Sequence, residues 1–142
     1  MPPMKRILLV DDKDDVIDML TVVLGRYGYH VTAFMEGQAA LDALRGDDPF
    51  DLLIVDIRMA PVNGLEVIAG ARDCRPAIPI LVISAYDDPE TVERAFELGC
   101  TKFIKKPLYL LTIVNPIREA FGEEPLPEIE LPDGFDENWF SS

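Results

Sequence analysis

Five polar side chains stand out by where they fall. Asp11 and Asp12 follow an apolar run at residues 7–10, Asp56 closes a second at 52–55, Ser84 closes a third at 80–83, and Lys106 follows the short run Phe103, Ile104. Two carboxylates about 4 Å apart repel by roughly 4 kcal/mol at an effective dielectric near 20. Three together need a cation or raised pKa values. An all-oxygen set suits Mg²⁺, which keeps several waters and often bridges to a phosphoryl group. An aspartate can also act as a nucleophile toward phosphorus, a lysine can neutralise a transferred phosphoryl group, and a serine hydroxyl can donate to one of its oxygens. Metal, nucleophile, cation and hydroxyl are the parts that phosphoryl transfer needs. Each residue alone is commonplace: acids at strand ends are often solvated, and a serine there is usually a turn residue. Their joint occurrence, each at the end of its own apolar run, is what carries the reading.

The elements that must position them are legible in the hydrophobic pattern. The apolar runs at 7–10, 52–55 and 80–83 read as strands buried on both faces. Residues 29–34, rich in aromatic and β-branched types, read as another strand, and Phe103 and Ile104 as a short fifth. Val16, Met19, Leu20, Val23, Leu24 and Tyr27 recur at helical steps, with Gly28 as a stop. Ala39, Ala40, Ala43 and Leu44 predict a second helix, and Leu65, Val67, Ile68 and Ala71 a third, after a loop with an Asn63-Gly64 turn signal. Asp88, Pro89 and Glu90 are a helix start and Gly99 its end. A last helix spans residues 108–121. Pro116 lies within it and predicts either a kink or a break with a restart capped by Asn115.

Strands alternating with amphipathic helices imply an α/β, doubly wound parallel sheet of five strands with helices on both faces. In such sheets ligands bind beyond the carboxyl ends of the strands. All five polar residues are expected at that edge.

Bulk properties narrow the function. With 142 residues the chain suits one domain, expected at 1–121. Residues 122–142 hold prolines and acids but no basic residue, and predict an extended, mobile tail, with docking on a partner or folding back on the domain as the alternative. Its apolar members are Leu126, Ile129, Leu131, Phe135, Trp139 and Phe140. A formal charge of −13 argues against nucleic acid or an anionic membrane as a direct partner. The first apolar run is too short for a signal peptide or a membrane span. Cys74 and Cys100 fit no disulfide framework or metal motif. A cytoplasmic protein is expected.

The segments Ile7-Leu-Leu-Val-Asp-Asp12, Leu53-Ile-Val-Asp56 with Met59 and Gly64, Leu81-Val-Ile-Ser-Ala85, and Gly99 through Phe103 to Lys106-Pro107 resemble the receiver domain of two-component response regulators, over roughly residues 4–121. The resemblance implies a flavodoxin-like strand order 2-1-3-4-5, which general accounts of this fold illustrate with a member of the same family. It implies phosphorylation of Asp56, with Mg²⁺ held by the side chains of Asp12 and Asp56 and the backbone carbonyl of Arg58, and with Asp11 helping through water. Ser84 and Phe103 become a switch pair, Lys106 a phosphoryl partner, and the Lys106–Pro107 bond commonly cis. The implied partners are a sensor histidine kinase or histidine phosphotransfer protein and a downstream protein. The only histidine, His30, lacks the surroundings of a kinase helix, so the donor is another molecule.

The chain departs from the family pattern in two places. Proline follows the loop methionine one residue late, at Met59-Ala60-Pro61. Cys100-Thr101-Lys102 lacks the paired acids of the DNA-binding subgroup, so a monomer or weak dimer is expected. Arg58 and Tyr86, each two residues beyond a site residue, are bulky enough to obstruct water, and predict slow loss of the phosphoryl group. The alternatives are an aspartate-based phosphatase, a flavin carrier and a receiver that works without phosphate. The phosphatase would want a second aspartate where Arg58 stands. The flavin carrier would want a Gly/Ser/Thr phosphate loop where residues 11–15 are acidic. No output domain is expected to follow unless the chain is a fragment of a larger regulator.

Overall fold

The computed structural model describes residues 4–127. Its elements follow in strict alternation: β1 (Arg6–Val10), α1 (Asp14–Arg26), β2 (His30–Phe34), α2 (Gly37–Arg45), β3 (Leu52–Asp56), α3 (Gly64–Cys74), β4 (Ile80–Ser84), α4 (Pro89–Leu98), β5 (Lys102–Lys105) and α5 (Leu110–Ala120). All pairings are parallel, in the order β2-β1-β3-β4-β5, as expected.

The side-chain period of two splits the central strands between two core layers. Leu8, Val10, Leu53, Val55, Ile80 and Val82 face α2, α3 and α4. Ile7, Leu9, Leu52, Ile54, Leu81 and Ile83 face α1 and α5. Both sets are sealed from solvent, which explains why these strands are continuously apolar rather than alternating. Edge strand β2 is only half-buried. No described helix is long and apolar enough to cross a membrane.

Local chemistry sets the helix ends. Asp88 accepts from the Thr91 N–H (3.1 Å) and hydroxyl (2.7 Å) at the start of α4, with Pro89 in the first turn. Gly99 closes that helix at φ 111°. Asn63, expected as part of a turn, instead caps α3 by accepting from the Glu66 N–H at 3.0 Å. Its side chain offers an acceptor that a turn would leave idle. At the far end of α3, Arg75 donates to the carbonyls of Leu44, Gly46 and Asp48. Arg72 donates to those of Pro76, Ile78 and Gly99. These guanidiniums satisfy carbonyls at the ends of α2 and α4, which have no helical partner.

α5 resolves the two alternatives at Pro116: the helix continues through it from Leu110 to Ala120. Asn115 is therefore no restart cap. Its side chain is bonded to Leu126. Glu123, Glu124 and Leu126 follow the fold-back alternative rather than the mobile tail, because they are hydrogen-bonded to the domain. Ile129, Leu131, Phe135, Trp139 and Phe140 lie outside the described residues.

Candidate functional site

Strand register assembles the site. Val10 pairs with Val55, so the next residues, Asp11 and Asp56, leave neighbouring strands side by side. Asp56 pairs with Ile83 and Ser84 with Lys105, which brings Ser84 and then Lys106 to the same edge. Sequence separations of tens of residues thus collapse into one cluster. Asp11, Asp56, Ser84 and Lys106 are the buried polar or charged residues among those described. Among the described residues this edge is therefore where buried carboxylates, a buried ammonium and a buried hydroxyl gather.

The carboxylates of Asp11, Asp12 and Asp56 each offer an oxygen within 4.8 Å of the others. Asp11 is fully engaged: one oxygen accepts from the Lys13 N–H at 2.9 Å, and the other lies 3.2 Å from the Lys106 ammonium. Asp12 is half-exposed beside the Lys13 ammonium, 3.8 Å away. Asp56 is 2% exposed, and its Oδ2 has no hydrogen-bond partner among the described residues. Burial, and next the charge of Asp11, push its pKa up to about 6, while Lys106 and Lys13 pull the other way.

The loop after Asp56 is folded tightly over it. The N–H groups of Met59 and Gly64 both donate to the Ile57 carbonyl. A Cβ on Gly64 would stand 2.2 Å from the Asp56 carbonyl oxygen, so no other residue fits there without moving the site. The loop contains a second cis bond, Ala60–Pro61, besides Lys106–Pro107. Ser84 is fully buried, and its Oγ accepts from the Tyr86 N–H at 3.0 Å. Phe103 is half-buried against the layer under α4. The Arg58 guanidinium stacks on the Tyr86 ring, 4.0 Å from its centroid, and joins the loops after β3 and β4 above the site.

The family model of the response regulator receiver domain matches residues 7–118. The chain belongs to that family. The receiver is 31% identical over 126 residues to the transcriptional regulatory protein ZraR of Escherichia coli strain K12, covering 89% of this chain and 28% of the relative. The chain thus spans under a third of the length of such curated relatives. Among solved structures, it resembles a CheY-like response regulator receiver domain protein from Methanospirillum hungatei: TM-score 0.81, 25% identity, 84% of this chain and 94% of that one. It also resembles a Burkholderia pseudomallei response regulator solved with a phosphorylated aspartic acid, calcium ion and citrate: TM-score 0.72, 28% identity, 78% and 64% coverage.

Lys13 is a participant with no signal in the sequence, while Gly64 and Asn63 are visible there but their roles are not. Lys13 orients Asp11 through its N–H and lowers the cost of ionising Asp56. Gly64 matters through steric exclusion, and Asn63 through capping. Asn63-x-x-Glu66 was the visible signal for the last, read as a turn because Asn-Gly is more familiar there.

Proposed function

We propose that the receiver accepts a phosphoryl group on Asp56 from the phosphohistidine of a separate kinase or phosphotransfer protein. The observation that carries this reading is the buried, unpartnered Oδ2 of Asp56 among three carboxylates and a lysine. A buried anion without a donor is costly unless a cation or a phosphoryl group completes the site. The donor set is all oxygen and fits Mg²⁺. Asp12 and Asp56, with the Arg58 carbonyl, would hold it, Asp11 would help through water, and when bound the metal supplies charge neutralisation for the transferring group.

An Asp56 carboxylate oxygen forms the new bond to phosphorus as the phosphorus–nitrogen bond to imidazole breaks, and the imidazole nitrogen takes up a proton. Lys106, released from Asp11, pairs with a phosphoryl oxygen. Ser84 turns its hydroxyl from the Tyr86 N–H toward another, and Phe103 follows inward, which changes the surface offered to a downstream protein. Arg58 and Tyr86 hinder the attacking water and slow hydrolysis.

The test is incubation of the full chain with Mg²⁺ and acetyl phosphate, read by intact mass. One added phosphoryl group is expected on the wild type and none on Asp56→Asn. An equal gain in both, or none in either, overturns the reading.

A further inference from the structure

The chain beyond α5 makes contacts that phosphoryl transfer does not use. Gly122, at φ 71°, turns the backbone, which then runs back along α5. The Arg118 guanidinium donates to the Glu124 carbonyl. One turn earlier on the helix, the Asn115 side chain reads the Leu126 backbone at two points. Its Oδ1 accepts from the Leu126 N–H at 2.8 Å and its Nδ2 donates to the Leu126 carbonyl at 3.3 Å. The Tyr29 hydroxyl donates to the Glu123 carboxylate at 2.6 Å. Leu126 itself packs on the core layer that α1 and α5 share.

These contacts have the form of peptide recognition: main-chain hydrogen bonds supply the grip, and one pocketed side chain plus one paired charge supply the choice. They lie on one flank of α5. The other flank carries Glu119, paired with Lys102 of β5 at 3.7 Å. Arg118 grips the Glu124 backbone, and the Glu123 carboxylate is met by the Tyr29 hydroxyl. Lys5 lies close by, 5.6 Å above the Phe121 ring.

We propose that the α5 flank formed by Asn115, Arg118 and Tyr29 is a peptide-docking groove, filled in cis by residues 123–126. The groove selects an extended acidic segment with a leucine three residues after its first glutamate. Tethering gives the cis segment an effective concentration on the order of millimolar, so a weak intrinsic affinity is enough to fill the groove. A rival segment must bind more tightly than that to displace it. While the segment is docked, the flank is closed to other proteins.

The test uses the full chain and a synthetic peptide of residues 122–133. In the wild type, amide exchange at Leu126 should be slowed at least tenfold relative to Asn115→Ala. By NMR, the peptide at millimolar concentration should shift the Tyr29 and Arg118 signals of the Leu126→Asp chain, whose cis segment is released. It should leave the wild type unchanged, and a peptide carrying the same Leu126→Asp change should shift neither. Unprotected Leu126 in the wild type, equal shifts in both chains, or no shift in either overturns the proposal. Thermal unfolding of each variant confirms that the fold persists in the comparison.

Discussion

Asp56 is a carboxylate kept in a place that disfavours its charge. Its pKa rises from 3.8 to about 6, first through burial and then through Asp11. Between those values the unfolded chain ionises this group while the folded protein keeps its proton. Stability contributed below about pH 4 is therefore lost as pH rises through about 6, on the order of 3 kcal/mol in full. Asp56→Asn should stabilise the metal-free protein at pH 7 by about 1–3 kcal/mol, and the gain should shrink toward pH 4. Urea unfolding at both pH values checks this, and a mutant less stable at pH 7 counts against it. Mg²⁺ should narrow the same gap by neutralising Asp56.

The Arg58–Tyr86 stack makes a separate prediction at this scale. Its two members come from different loops and meet at 4.0 Å. Removing both in Arg58→Ala, Tyr86→Ala opens the approach of water, and the phosphorylated protein should lose its phosphoryl group several-fold faster. The decay of the phosphorylated mass after donor removal measures it. An unchanged or slower decay sinks the obstruction argument.

At the scale of elements, α5 accommodates Pro116 in its interior. Proline removes one backbone donor and crowds the turn before it, which costs about 3 kcal/mol in an ordinary helix. Pro116→Ala should therefore raise stability by about 1–3 kcal/mol without altering phosphorylation. Thermal unfolding and acetyl phosphate labelling read the two halves. The loop after β3 behaves in the opposite way. Gly64 lies so close to the Asp56 carbonyl that Gly64→Ala must displace backbone at the site. Labelling should fall at least tenfold while the rest of the fold survives.

Across the whole molecule, site and scaffold occupy opposite edges of the sheet. The chemistry gathers at the carboxyl ends of the strands. The two α3 arginines tie down helix ends away from it. Arg75→Ala leaves three carbonyls with one fewer donor and removes one of the two guanidiniums over the Phe50 ring, the other being that of Arg6. A loss of about 1–3 kcal/mol is expected, with labelling of Asp56 intact. A large loss of labelling in a folded Arg75→Ala protein would show the two edges to be coupled.

Period and composition along the chain were enough to determine the strands, the helices and the edge where they converge. Short apolar runs such as residues 52–55, alternating with amphipathic helices, read as strands buried on both faces, and polar residues that end several such runs then meet at one edge of a parallel sheet. The same logic reached Asp11, Asp12, Asp56, Ser84 and Lys106. Tertiary structure alone decided what depends on proximity between distant segments. Whether Pro116 broke α5 was settled by packing of Ile113, Val114 and Ile117 against the sheet, all fully or almost fully buried. The pairing of Lys106 with Asp11, the stack of Arg58 on Tyr86 and the grip of Asn115 on Leu126 have no local signature. Backbone preference and hydrophobic period act over a few residues, whereas an ion pair or a docked segment exists only once the sheet register and the turn at Gly122 bring its two halves within reach.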